Sequence, residues 1–222
     1  MLKRRNVVPS TVRNQVPVGN RRHEEVDVTT DGPRRRADAR RNEEALLDAA
    51  AAAFVAAGVE APVRDIAARA GVGVGTVYRH FPTRADLVVA VYRHQVEACV
   101  EAGPTCLAEA ASPSEALVRW IDGFVDFLVT KHGLAGALGG DGSRFEALHA
   151  YFLERLVPVC DELLTAAATE GEVRDDLSGY ELMRGVGGLC VGAEDDERYD
   201  ARRLVGVLLA GLRVRSPGSP RR

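Results

Sequence analysis

Aromatic residues make up only 5% of the 222-residue chain, and no run of about 18 apolar residues occurs, so no membrane-spanning helix is expected. The N-terminus has basic residues without an apolar stretch behind them, which does not read as a secretory signal. The four cysteines (Cys99, Cys106, Cys160, Cys190) stand far apart, with no C-x-x-C pair and no dense framework. Buried free thiols in a reducing, cytoplasmic compartment fit that pattern. The five histidines (His23, His80, His94, His132, His149) show no H-E-x-x-H or other zinc-ligand spacing. A phosphate loop and a Gly-x-Ser-x-Gly nucleophile elbow are missing too. No enzyme, metal or cofactor is expected from these residues.

What is present is 46% apolar and 27% charged, a composition that builds a sizeable core in one large domain or two small ones. The net charge of −3 argues at first against nucleic acid, whose binding proteins often carry a basic excess. Its distribution reverses the argument. Residues 1–41 carry +6, residues 42–93 carry −1, residues 94–212 carry −12 and residues 213–222 carry +4. A basic head on an acidic body points to an anionic partner at one end. Only two of the 29 basic residues are lysine, which reads as GC-rich codon usage rather than chemistry.

Residues 1–38 lack periodicity and carry Pro9, Pro17, Gly19, Gly32 and Pro33 among polar residues. They read as a disordered basic arm, or as the product of a start placed too far upstream. From Asn42, Leu46, Ala49, Ala50, Ala53, Phe54 and Ala57 recur at helical spacing, and Gly58 caps them. A short helix fits 63–70, with Pro62 in its first turn and a break at Gly71. Another fits 74–80, closed by Phe81-Pro82. Thr83 with Asp86 forms a capping box for a fourth helix, expected to end near Ala102 before Gly103-Pro104. Ser112-Pro113-Ser114-Glu115 starts a helix that Gly133 closes, and a Gly-rich stretch follows. Phe145 to Ala167 then reads as one long pattern, with a kink or break expected at Pro158 and a stop at Gly171. Ser178 and Glu181 cap a helix reaching about Gly192, and residues 197–212 form the last. No alternating run demands a strand, so the chain reads as all-α with about nine helices. The expected divisions are 1–38 arm, 39–86 helix-turn-helix domain, 87–213 effector and dimerisation domain, and 214–222 flexible tail.

Two short helices around Gly71 make a helix-turn-helix. Ala67 must be small where the helices cross, Gly71 tolerates positive φ, and Ile66, Val72 and Val77 supply the buried face. Such a unit puts its second helix in the major groove with the N-terminal residues at the base edges. Gly71-Val-Gly-Val-Gly75 is not a dinucleotide loop, because Thr76 replaces the third glycine and the flanks are helical.

The run Gly-Val-Gly-Val-Gly-Thr-Val-Tyr-Arg-His-Phe-Pro-Thr-Arg-Ala-Asp-Leu (71–87), after Ile66-Ala67-x-x-Ala70, resembles the DNA-binding domain of the tetracycline-repressor (TetR) family over about 42–90. Gly171-Glu-Val-Arg174-Asp-Asp176 before a helix start agrees more loosely. The resemblance implies a homodimer, usually a repressor, that leaves a palindromic operator in double-stranded DNA on binding a small molecule. It implies that Val74, Gly75 and Thr76 begin the recognition helix, beside Gly73, where a serine is frequent. Tyr78 and His80 match phosphate-holding positions, and Arg64 matches one that reaches base or backbone. Arg84 stands where a lysine is more usual, at the start of the fourth helix. Ala61 and Pro62 replace the usual Thr/Ser cap. Each of these residues also has a plain structural reading: Phe81 and Tyr78 as core plugs, His80 as a helix end, Arg84 as a solvated arginine.

The body needs its own explanation. Trp120, Phe124 and Phe127 share one helix face, and Phe145, His149 and Phe152 share another. They are either the lining of an apolar effector cavity or packed core. Leu182, Gly185, Gly188, Leu189 and Gly192, with Leu204, Val207, Leu208 and Gly211, have the small-residue spacing of a helix-pair dimer interface. The effector's identity is not legible. A DNA-binding protein without an effector, or an activator, is the alternative.

Overall fold

The computed structural model describes residues 31–130, 142–191 and 198–214. Eight helices form among them: α1 (Asp31–Ala57), α2 (Val63–Arg69), α3 (Val74–His80), α4 (Arg84–Glu109), α5 (Pro113–Thr130), α6 (Gly142–Thr169), α7 (Gly179–Cys190) and α8 (Ala201–Leu212). No strand occurs among the described residues, only an isolated bridge between Val173 and Arg213. The all-α expectation holds.

Local chemistry sets most boundaries. Gly58, Gly71 and Gly171 take φ near +70°, the left-handed conformation that ends α1, α2 and α6 without a Cβ penalty. Thr83 and Ser178 close full capping boxes with Asp86 and Glu181. At the start of α8 the Asp200 carboxylate accepts from the Arg203 amide at 2.9 Å.

Four boundaries differ from the sequence expectation. α1 begins at Asp31, so residues 31–38 of the expected arm are helical. Pro33 sits in the first turn, where its missing N–H is not needed, and residues 1–30 lie outside the described residues. α4 runs through Gly103-Pro104 to Glu109. There the Trp120 indole N–H donates to the Cys99 carbonyl at 2.8 Å and the Thr105 hydroxyl to the Glu101 carbonyl at 3.2 Å, supporting the ladder around the proline. α6 is one helix through Pro158, which is exposed, so the carbonyl it orphans faces water. α8 starts at Ala201 rather than 197, because Asp200 caps it. The expected stop at Gly133, the Gly-rich stretch over 131–141, Gly192 and the tail beyond 214 lie outside the described residues.

One apolar core runs from Leu46, Phe54, Ile66 and Val77 in the first three helices, through Leu87, Val91 and Val96 of α4, to Trp120, Phe152, Leu163 and Val186 in the body. No polar or charged residue is buried among the described residues. α4 therefore belongs to both regions. At its start Asp86 pairs with Arg144 of α6 at 3.6 Å. Further along, Glu97 takes two hydrogen bonds from Arg155, the one from Nε at 2.8 Å, and another from Tyr151.

Candidate nucleic-acid interface

α2 and α3 are each only seven residues long, too short to be stable alone, so packing has to hold them. Ile66, Ala67 and Val77 are buried to within 1%, and the Val72 amide closes the turn by donating to the Ala67 carbonyl at 3.0 Å. Val72 itself is half-buried. Ala67 and Gly71 thus stand as the sequence requires.

The opposite face of α3 is open. Val74 is 40% exposed and Tyr78 51% exposed, and Gly73, Gly75 and His80 are exposed with them. A β-carbon added at Gly73 or Gly75 would meet nothing within 4 Å, and neither has positive φ. Their smallness serves nothing inside this chain, which leaves room for an approaching surface. Thr76 is half-buried, and its hydroxyl accepts from Arg79 at 3.4 Å. Arg79 was not singled out by sequence reasoning. Its place one turn after Thr76 on the exposed face was the available signal. Arg64 at the start of α2 is exposed and bonded only to its neighbour Asp65, at 3.3 Å. No side chain caps the N-terminus of α2 or α3, in line with the Pro62 and Gly73 departures.

Arg84 departs from its companions. It lines an open cleft with Glu60, Pro62, Val63, Tyr78 and Thr83, but its guanidinium turns inward. It donates to the Val59 carbonyl and lies 5.2 Å from the centre of the Phe54 ring. The neighbouring Asp86 carboxyl is held below its ordinary pKa by the Thr83 hydroxyl, at 2.7 Å.

In the body, Trp120, Phe124, Phe127 and Phe152 are buried and stack at 5.7–6.3 Å between ring centres. The column continues outward from Phe152 through His149 at 5.7 Å to Phe145 at 6.5 Å. His149 is exposed and Phe145 half-buried, so His149 is a rim residue, not a core histidine. These rings touch one another and fill the space between them. Burial pushes the Cys99 thiol up to about 11 and Cys160 to about 12, and all four cysteines are free.

The expected interface residues divide. Leu182 is 1% exposed and faces its own core, so it is not available to a partner. Gly185 meets Leu208 of α8, 3.6 Å from an added β-carbon, a contact within the chain. Gly188, Val207 and Gly211 are exposed, while Leu189, Leu204 and Leu208 are half-buried.

Residues 46–91 match the family model for bacterial regulatory proteins of the tetR family, and residues 112–214 match the C-terminal domain of SbtR-like transcriptional regulators. Among curated proteins no relative matches the chain. Among solved structures, a TetR transcription regulatory protein from Mycobacterium vanbaalenii is 38% identical, with TM-score 0.63 over 81% of this chain and 99% of its own. A TetR regulator from Streptomyces coelicolor is 34% identical, with TM-score 0.68 over 78% and 98%. The regulator FadR from Bacillus subtilis, in complex with stearoyl-CoA, shares the fold at 22% identity and TM-score 0.51, over 76% and 96%. With its helix-turn-helix and its helical body both matched, the chain belongs to the TetR family of transcriptional regulators, DNA-binding proteins that are not enzymes.

Proposed function

We propose that the protein is a homodimeric, effector-responsive repressor that binds a palindromic operator and leaves it when a small molecule enters the body. The observation that carries the DNA-reading part is the split of α3. Val77 is buried, while Val74, Gly75 and Tyr78 stand open on the other side. Val74, Gly75 and Thr76 meet base edges in the major groove, Gly73 admits close approach, and Tyr78, His80 and Arg64 hold the backbone. The exposed Val207, Gly211 and Gly188, flanked by half-buried Leu189, Leu204 and Leu208, support α7 and α8 as the dimer face. The effector enters along the column that begins at Phe145 and His149 and leads to Phe152, Phe127, Phe124 and Trp120. FadR with stearoyl-CoA supports the capacity of this fold to enclose an apolar ligand.

The test separates backbone from base contacts. Tyr78→Phe removes a hydroxyl that donates to a phosphate and should weaken every duplex alike, by about tenfold. Val74→Ala and Thr76→Ala should change base preference across a sequence library. If all three act identically, α3 is not the recognition helix. For the body, small molecules that raise the melting temperature and release the duplex support effector control. A library that never does both supports the effector-free alternative.

A further inference from the structure

Arg84 is the first residue of α4, directly behind its cap Thr83. A cation there faces the positive end of the helix, an unfavourable place unless other groups hold it. The groups that hold it are internal. The guanidinium donates to the carbonyl of Val59 and lies over the face of Phe54, and its Nε is sealed from solvent without a hydrogen-bond partner. Val59 follows the left-handed Gly58 in the turn leading into α2, whose N-cap Pro62 offers no side-chain bond. Phe54 belongs to the end of α1. One side chain thus joins α1, the turn that sets the start of α2, and the helix that carries the body.

The geometry points to Arg84 as a positioning residue, an internal clamp that sets operator affinity by fixing α2 and α3 against α4, without touching a phosphate. To reach DNA the guanidinium would have to abandon both Val59 and Phe54. Lysine cannot take its place, because an ammonium has no flat face to lie on a ring while donating sideways to a carbonyl. The inference rests on the DNA-binding reading above for its effect on affinity.

The full chain is used, with an inverted-repeat duplex that the wild type selects from a random library and a random duplex beside it. Arg84→Lys and Arg84→Met should each weaken the selected duplex about tenfold. The slope of log K against log salt should stay at the wild-type value. In the unbound protein, amide exchange at Val59, Glu60, Ala61 and Val63 should accelerate. Arg84→Lys keeps charge and length, which guards against loss of the whole fold. The clamp is overturned if Arg84→Lys binds as wild type, or if Arg84→Met lowers the slope by about 0.9, the signature of one lost phosphate contact. Unchanged exchange over 59–63 in both variants overturns it as well, and that measurement needs no DNA. A wild type that selects no duplex would instead defeat the DNA-binding reading, with the exchange result still deciding the clamp.

Discussion

Replacing Gly103 with alanine should destabilise the protein, against the usual direction of that change. Within a helix, glycine to alanine normally stabilises by roughly 1 kcal/mol. At Gly103, however, a new β-carbon would lie 2.4 Å from Cγ1 of Val159 on α6. Carbon atoms pack best at about 3.5–4.0 Å, so the methyl is too close by more than about 1 Å. Val159 is β-branched and stiff at χ1 in a helix, which denies the easy escape of a rotamer change. Overpacking of this kind costs about 1–3 kcal/mol. Set against the propensity gain, the net loss is about 1 kcal/mol, or about 2–4 °C in melting temperature for a chain of this size. Thermal unfolding at one fixed protein concentration reads the shift. The single tryptophan reports locally, since Trp120 Nε1 lies 4.0 Å from the same point. Adding Val159→Ala should recover the clash and give a coupling energy of about 1 kcal/mol or more. A Gly103→Ala protein as stable as wild type, or more so, would refute the close crossing of α4 and α6.

Gly179→Ala should be worse, about 2–3 kcal/mol, because its β-carbon would lie 2.8 Å from the backbone nitrogen of Asp161, and truncating Asp161 should give no relief; urea unfolding checks both. Glu97→Gln should reduce the loss of stability on acidification. Hydrogen bonds from Arg155 hold the Glu97 carboxyl below its ordinary value of 4.5, so its contribution is present above about pH 4.5 and disappears as pH falls through the lowered value. The pair is partly exposed, so the difference should be at most about 1 kcal/mol. Asp86, Glu172, Asp176 and Glu181 are lowered too, and part of the acid slope will therefore remain in an unfolding series from pH 3 to 7. With iodoacetamide at pH 8, Cys160 should stay unmodified in the folded chain and react once it is unfolded, because burial raises its pKa to about 12.

The sequence made α2 and α3 legible because their limits are set locally: Gly71 can turn left-handed, Phe81-Pro82 stops α3, and Ile66 and Val77 mark the inner face. The same local logic failed at Gly103-Pro104. What carries α4 past that pair is a donor from Trp120 and a close fit to Val159, both on other helices. Leu182 fails for a related reason. Its spacing beside Gly185 suits an interface, but which side of α7 faces the core depends on α5 and α6. Arg84 was legible as a cation at a helix start, while its inward turn depends on Phe54 and Val59, which lie 25 or more residues earlier. For the candidate site, exposure of Val74, Gly75 and Tyr78 followed from the buried Val77 by helical period alone.

The measurement that tests the account most directly is selection from a random duplex library by the full chain, followed by salt-dependent affinities for the winner and for random duplex. The account predicts an inverted repeat, bound two chains per site, with affinity about 10³-fold or more above random duplex. Equal affinity for both duplexes at moderate salt would contradict it.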